Sequence, residues 1–319
     1  MTLTAKRLLG MLAALILLIV IGLGILRLSH GTDDGRAVLR VGVLKGGTRP
    51  LVEAAGVLQD APYRVEWVEF PSGQPMLEAM GAGAIDLGTT GDTAFQYAYQ
   101  AGRPLVIVLA ERAEDVTGAS GILVPPNSPI HSARDLKGRI IGTTRGSAGH
   151  LLILRALAEA HLAPSDVRFA FLTPADGKAA LQSGAIDAWA IWPPYIGAAL
   201  LEHSARIAVD GRGLVRNYLF QVASRDAASR RKGEIADYLK RHEAARRWVL
   251  AHPQPAAAAL ARDGGLPLPV ARYTLERQHW RSVPLDDDLV SYQRGLAETL
   301  AGAGVFELKH DVGAGFPRY

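Results

Sequence analysis

Two short sequence motifs occur twice in this chain, in the same order and about one hundred residues apart. The segment RVGVLKGGT at 40–48 aligns with IIGTTRGSA at 140–148, and the tetrapeptide GAID at 83–86 recurs at 184–187. In the longer motif, a short apolar run leads to a basic residue and one or two glycines, a combination that favours a tight turn into a helix. Two matches in the same order predict a chain built from two halves of like topology.

From residue 37 onward, short apolar runs alternate with amphipathic stretches, which is typical of an α/β fold. Strands are predicted at 38–44, 63–70, 85–89, 105–110, 139–143, 168–172, 186–191 and 205–209. Helices are predicted between them at 74–80, 93–101, 148–160 and 175–182. The section from about Leu219 is predicted to be mostly helical, with helices at 228–251, 255–262 and 286–300.

The composition excludes several classes of site. The 319 residues are 49% hydrophobic and 21% charged, which is enough for a sizeable core. The chain contains no cysteine, so disulfides, zinc–thiolate sites, iron–sulfur clusters and a cysteine nucleophile are excluded. A formal net charge of +4 suits an anionic ligand or membrane lipid, but it is too small to predict nucleic-acid binding.

The N-terminal residues 1–35 form a separate segment. Lys6 and Arg7 precede an unbroken apolar run at 8–26, whose 19 residues would make a helix of about 28 Å, close to the hydrocarbon thickness of a bilayer. This pattern predicts either an uncleaved inner-membrane anchor or a cleavable signal peptide, with the small residues of Ser29-His30-Gly31 offered to a signal peptidase. In both cases the rest of the chain is predicted to lie in the periplasm.

The common catalytic motifs are missing from the sequence. It contains no Gly-x-Ser-x-Gly elbow, no phosphate loop ending in Gly-Lys-Ser/Thr and no His-Glu-x-x-His, and its nine histidines show no metal-ligand spacing. We therefore predict no catalytic residue, no metal and no cofactor. His150 is the one histidine near a candidate site, where a ligand contact and a local hydrogen bond both remain open.

The glycine-rich turns are the candidate anion sites. The first turn of a helix presents unpaired N–H groups and a partial positive charge, so it attracts an anion. The turns at 46–48 and 146–148 are expected to face each other, with the amides of Ser147 and Ala148 holding ligand oxygens. Thr90-Gly91 follows a strand and is a third candidate, whereas Asp92 is expected to be a structural N-cap. Trp192 is expected either to cover the apolar part of a ligand or to pack in the core, and Trp189 to pack in the core.

Five stretches that occur in order between about residues 40 and 223 point to a known family. They are WVEFPSG at 67–73, DLGTTGD at 86–92, NSPI with DLKG at 127–138, RGSAGH at 145–150 and DAWAIW at 187–192. Together they resemble the aliphatic sulfonate-binding proteins of ABC importers, in the nitrate/sulfonate/taurine group of periplasmic solute receptors.

This resemblance implies an α/β periplasmic-binding-protein type II fold, in which two lobes enclose a ligand cleft. Lobe one would comprise 36–124 and 218–319, and lobe two 125–217. The partners implied are a small anionic ligand, an alkanesulfonate above all, and an inner-membrane ABC permease; nucleic acid is not implied, and the protein would be a monomer. The residues that would contact the ligand are Gly46, Gly47, Ser72, Gly73, Thr90, Gly91, Gly146, Ser147, Ala148 and Trp192.

Two positions depart from the family pattern. Leu44 stands where the family usually has a polar Gln, and Pro193 stands where the family has Trp-Asp-Pro, which is expected to favour a more anionic or more apolar ligand. Two alternative functions remain open at this point. One is an enzyme on the same fold, of the thiamine pyrimidine precursor synthase type, although that type relies on a Cys-rich motif. The other is a membrane-tethered sensor of a small anion.

Overall fold

The computed structural model describes residues 35–113 and 117–316. The apolar helix predicted at 8–26, as signal peptide or anchor, lies outside these residues. Among the described helices, none has both the length and the apolar character needed to cross a bilayer.

The described chain is a mixed α/β fold with two sheets, as predicted. The first sheet contains β1 (Ala37–Leu44), β2 (Tyr63–Phe70), β3 (Leu87–Gly91), β4 (Leu105–Ala113), β10 (Tyr218–Ser224) and β11 (Trp280–Val283). The second sheet contains β5 (Gly121–Val124), β6 (Ile140–Thr143), β7 (Arg168–Phe171), β8 (Ala188–Ile191) and β9 (Arg206–Asp210).

Helices connect and cover these strands. In the part of the chain up to β10 they are α1 (Arg49–Ala54), α2 (Gly73–Gly81), α3 (Asp92–Gln100), α4 (Ala148–Glu159), α5 (Pro174–Ser183) and α6 (Tyr195–Glu202). After β10 they are α7 (Arg225–Arg230), α8 (Lys232–Ala251), α9 (Pro253–Gly264), α10 (Leu268–Glu276) and α11 (Asp287–Gly302).

The two sheets repeat one strand order. The first runs β11–β4–β10–β3–β1–β2 and the second β9–β5–β8–β6–β7, so β3–β1–β2 corresponds to β8–β6–β7. In both sheets an antiparallel strand follows, β10 beside β3 and β5 beside β8. The prediction of two halves with like topology is confirmed.

The repeated GAID motif has the same structural role in both sheets. The Asp86 carboxylate accepts the N–H of Arg40 at 2.9 Å, and the Asp187 carboxylate accepts the N–H of Ile140 at 2.7 Å. The isoleucine before each aspartate packs where a β-carbon on Gly42 or on Gly142 would stand. The motif therefore joins neighbouring parallel strands and leaves ligand contact to the turns.

The section after Leu219 is mostly helical, as predicted, but it differs from the prediction at two points. It opens with β10, which pairs antiparallel with both β3 and β4 in the middle of the first sheet. The helix predicted at 228–251 is two helices, because the backbone leaves helical geometry at Arg231 (φ −118°, ψ 31°). Strand β10 forms because it pairs with strands that are distant in the sequence. The break at Arg231 is a matter of local backbone geometry.

The lobe boundaries stay a prediction. The first sheet draws its strands from residues 37–113 and 218–283, and the second from residues 121–210. Strand β5 thus pairs within the second sheet, although the predicted boundary of lobe one follows residue 124.

Candidate functional site

A cavity of ≈ 190 Å³ is lined by residues from both halves of the chain. Nine of the ten residues predicted to contact a ligand line it: Gly46, Gly47, Ser72, Gly73, Thr90, Gly91, Ser147, Ala148 and Trp192. Gly146 is not among the lining residues; it lies directly behind, where an added β-carbon would meet the Tyr97 ring. The structure therefore brings the predicted residues together around one space.

Five of the described helices begin at this cavity. Their N-cap residues all line it: Thr48 (α1), Ser72 (α2), Gly91 (α3), Ser147 (α4) and Pro194 (α6). The side chains of Thr48 and Ser72 make no capping hydrogen bond, and Gly91 has no side chain to make one. The N–H groups of Gly73 and Ala148 donate to no group within the described residues. Unpaired N–H groups and the positive ends of helix dipoles thus converge on one space, which favours an anion there.

The repeated basic-glycine segments form the same turn twice. The N–H of Gly47 donates to the Leu44 carbonyl at 2.8 Å, and the N–H of Ser147 donates to the Thr144 carbonyl at 3.2 Å. Gly46 (φ 66°) and Gly146 (φ 62°) both adopt left-handed backbone geometry, which favours glycine. Because the Ser147 N–H closes its turn, the Ala148 N–H is the amide of this pair left for a ligand.

Thr90 presents a polar atom with no partner. Its side chain is 1% exposed, it lines the cavity, and its Oγ1 has no hydrogen-bond partner in the described part of the chain. A buried hydroxyl without a hydrogen bond costs free energy, so native structures rarely leave one unpaired. The position of Thr90 between two helix starts makes this hydroxyl the strongest single indication of a ligand.

Asp92 is held by its own surroundings. It is the first residue of α3, with Gly91 as the N-cap in place of the predicted Asp92. Its Oδ1 accepts the N–H of Thr93 at 2.6 Å, and its Oδ2 accepts from Gln293 at 3.2 Å. Burial raises the pKa of the Asp92 carboxyl to about 6, although these hydrogen bonds act in the opposite direction.

His150 supports the second turn. Its Nδ1 accepts the N–H of Gly146 at 3.2 Å, and its ring packs against Phe169 and Phe171. Burial, with a smaller contribution from the Arg145 charge, lowers the pKa of His150 to about 4, so the imidazole is neutral. His150 does not line the cavity, and of the two roles left open the local hydrogen bond is the one observed.

The two tryptophans differ in environment. Trp189 is 1% exposed and belongs to an apolar core cluster, as predicted. Trp192 lines the cavity, and its ring meets the Tyr195 ring edge-on, with centroids 6.5 Å apart. Trp192 can therefore lie against an apolar part of a bound molecule.

One wall of the cavity was missed by sequence reasoning. It is formed by apolar residues of the C-terminal section and one residue of α1: Leu51, Val249, Leu260, Leu275 and Trp280. The helical residues among these follow the ordinary pattern of an amphipathic helix, which gives no sign of a ligand. No group of acidic, histidine or cysteine side chains in the described residues could hold a metal ion.

Comparisons with known proteins agree on one family. The sequence model of the NMT1/THI5-like family matches residues 56–256. A protein of Escherichia coli (strain K12) named as an aliphatic sulfonates-binding protein is 37% identical over 270 residues, which is 83% of this chain and 84% of that protein.

Two solved structures share the fold at substantial sequence identity. The periplasmic aliphatic sulphonate binding protein SsuA from Escherichia coli superposes with a TM-score of 0.79 at 35% identity, over 88% of this chain and 92% of that chain. The alkanesulfonate-binding protein SsuA from Xanthomonas axonopodis pv. citri, bound to MOPS, gives a TM-score of 0.81 at 31% identity, over 89% and 99% respectively.

Proposed function

The chain belongs to the NMT1/THI5-like family and, within it, to the aliphatic sulfonate-binding proteins, and we propose that it captures a small organic sulfonate or related oxyanion for an ABC importer. Delivery to the permease follows capture, and the protein acts as the substrate-binding component. The observation that carries the proposal at the site is the buried Thr90 hydroxyl, which has no partner in the described chain and lines the cavity at which the helices begin.

The anion is held by neutral donors. The N–H groups of Gly73 and Ala148 and the hydroxyls of Thr90, Ser72 and Ser147 hydrogen-bond the sulfonate oxygens. Hydrogen bonds to a charged acceptor are stronger than those between neutral groups, and the helix dipoles add a favourable field. The glycines at 46, 47, 91 and 146 let the backbone approach the ligand closely, and Trp192 covers its carbon chain.

The two halves close around the ligand as lobes of a type II binding protein. Contacts between them support this. The Gln74 side chain, in α2, donates to the Arg145 carbonyl in the second turn. Gly46 leaves room for Pro194, whose Cγ would lie 3.3 Å from an added β-carbon. Lobe one is then 36–124 with 218–319 and lobe two 125–217, except that the pairing of β5 favours a first crossing ahead of Gly121.

The named relatives also support a place and a partner. Periplasmic binding proteins of importers act outside the inner membrane, so we place this protein in the periplasm, acting as a monomer, with the permease as its partner. The tether at 8–26 remains part of the proposal, and cleavage at Ser29-His30-Gly31 is its alternative. Turnover is not proposed, because the named relatives are binding proteins; the synthase and sensor alternatives have no comparable support.

Calorimetric titration of the purified protein tests the function. The ligands are ethanesulfonate, butanesulfonate, taurine, nitrate, bicarbonate and sulfate. We expect a saturable signal with alkanesulfonates, weaker or none with nitrate and bicarbonate, and recovery of each sulfonate chemically unchanged. Absence of binding to every sulfonate, or recovery of an altered product, would contradict the proposal.

A further inference from the structure

One part of the cavity wall is formed by apolar side chains. We call this region the apolar arm; its walls are Leu51, Val249, Leu260, Leu275 and Trp280. Leu51 and Leu260 are 6% and 1% exposed and pack with Ala256 and Ala271 in one apolar cluster. The wall of the arm is therefore backed by core residues with fixed positions.

The apolar arm begins beside the first glycine turn and the start of α1. Leu51 lies three residues after Thr48, on the same face of α1 and about 5–6 Å from it. The end of α9 packs against the first turn, since a β-carbon on Gly264 would lie 3.5 Å from the Gly46 Cα. An anionic group held at the helix starts would thus place its next few carbon atoms in the arm.

Three of the four described cations that line the cavity are already paired with carboxylates. Arg216 pairs with Asp288 at 3.1 Å, Arg246 with Glu111 at 2.9 Å, and Arg277 with Glu276 at 3.5 Å. Of the lining cations this leaves Lys45, which makes no ion pair within the described residues.

The five residues that form the apolar arm carry no charge that could pair with a second charge on the ligand. The lining carboxylate, Asp92, already accepts hydrogen bonds from Thr93 and Gln293. An ammonium or a carboxylate in the arm would be desolvated without a partner, which is costly. The arm therefore favours a ligand tail without charge.

The size of the cavity exceeds that of a short sulfonate. A cavity needs about 10–15 Å³ on this scale to hold one water molecule. The ≈ 190 Å³ cavity thus has room for on the order of a dozen water-sized groups. The sulfonate itself accounts for four atoms, which leaves space for a tail of about six or more carbon atoms.

We propose that the preferred ligand is an arenesulfonate, a singly charged sulfonate whose uncharged ring system occupies the apolar arm. This inference rests on the proposed function. Trp280 forms part of the arm, and edge-to-face or offset contact with it favours a ring there. Four further aromatic side chains line the rest of the cavity: Trp192, Tyr195, Tyr218 and Tyr292. A rigid ring also loses less conformational freedom on binding than an alkyl chain of similar area.

Calorimetric competition on the purified full chain tests the tail. The probes are naphthalene-2-sulfonate, toluene-4-sulfonate, octane-1-sulfonate, ethanesulfonate, taurine and sulfoacetate. We expect naphthalene-2-sulfonate to bind at least tenfold more tightly than ethanesulfonate and more tightly than octane-1-sulfonate, and taurine and sulfoacetate to bind at least tenfold more weakly than ethanesulfonate.

The outcomes distinguish the preference for arenesulfonates from sulfonate capture itself. Binding of ethanesulfonate as tight as that of naphthalene-2-sulfonate overturns the arenesulfonate proposal and leaves sulfonate capture intact. Tighter binding of octane-1-sulfonate than of the arenesulfonates overturns the aromatic preference. Failure of every sulfonate to bind contradicts both.

Two variants locate the tail. Leu275→Asn replaces the two terminal methyl groups by an amide with the same branching, and we expect the affinity ratio of naphthalene-2-sulfonate to ethanesulfonate to fall below threefold. Val249→Thr repeats the test with an isosteric change, in case the first variant unfolds. Leu308→Asn is the matched control, since Leu308 is 50% exposed and does not line the cavity, and it should keep the wild-type ratio. An unchanged ratio in both arm variants places the tail elsewhere and overturns the proposal.

Discussion

The Thr90 hydroxyl occupies the space that a β-carbon on Gly73 would need. Gly73 is the first residue of α2 and Thr90 is near the end of β3, so the missing side chain of one lets the hydroxyl of the other reach the start of the helix. Because the same hydroxyl has no partner within the described chain, it is available to hydrogen-bond a ligand.

Replacement of Thr90 by Val should separate binding from stability. The variant keeps the shape of the side chain and removes the hydroxyl, so sulfonate affinity should fall about five- to thirtyfold, or about 1–2 kcal/mol. The free energy of unfolding should stay level or rise, because an unpaired buried polar group is lost. Titration calorimetry and a urea melt measure the two effects; undiminished affinity would exclude a ligand contact at Thr90.

Replacement of Gly73 by Ala should damage both fold and site. The new methyl group would overlap the Thr90 hydroxyl and lie 3.0 Å from the Ala94 Cβ, so we expect a loss of about 1–3 kcal/mol in unfolding free energy and weaker sulfonate binding. Gly233→Ala is the matched control, because no atom lies within 4 Å of the added carbon in α8. That control should raise stability by up to about 1 kcal/mol. Equal effects of the two changes in urea melts would argue against the close contact.

Replacement of Ser147 by Ala should lower stability and affinity together. The Ser147 Oγ accepts the N–H of His150 at 3.3 Å as the N-cap of α4, and its hydroxyl proton is left for a ligand oxygen. Loss of the cap should cost about 1 kcal/mol of unfolding free energy. Loss of the donor should weaken sulfonate binding about five- to thirtyfold. A stability loss with unchanged affinity, from calorimetry beside a urea melt, would leave Ser147 as a cap alone.

The stability of Asp92 and His150 variants should depend on pH with opposite signs. The folded pKa of Asp92, about 6, lies above its ordinary value of 3.8. The stability that the protonated Asp92 carboxyl gives the native state is therefore present below pH 4 and lost as the pH rises through 6. The folded pKa of His150, about 4, lies below its ordinary value of 6.5, so the native state gains stability as the pH rises from 4 to 6.5.

In the wild-type protein the two pH dependences of the unfolding free energy oppose each other, and single variants should reveal each of them. As the pH rises from 4 to 7, the unfolding free energy of Asp92→Asn should increase relative to wild type, and that of His150→Asn should decrease, by about 2–3 kcal/mol each. The amide introduced by Asp92→Asn can be accommodated, because the side-chain amides of Gln293 and Gln96 can rotate by about 180° and exchange donor for acceptor. Gln96 Oε1 has no partner in the described chain that would prevent this rotation. Urea melts across this range measure the differences; parallel profiles for both variants would contradict the assignment.

The site residues that could be predicted are those that the local sequence pattern marks. The two basic-glycine turns, Thr90-Gly91 and Trp192 all stand where a strand ends, and a strand end is visible in a single sequence. Strand β10 was missed because its buried Gln221 interrupts the apolar pattern, and that glutamine is satisfied by Thr89 and Glu111 from distant strands. The apolar arm was missed for a related reason: Leu51 and Leu275 meet only through tertiary packing, and each by itself is an ordinary helix residue.

The position of β10 sets the order in which the sheets can be completed. Thr89 and Gln221, joined by a hydrogen bond of 3.0 Å, are 132 residues apart in the chain. The second sheet draws all its strands from residues 121–210, so its pairing is more local. A folding chain can therefore complete the second sheet while β3 and β4 still lack the strand between them, and those open edges are exposed to association with other chains until β10 inserts. We therefore expect the first sheet to form after the second when the protein refolds.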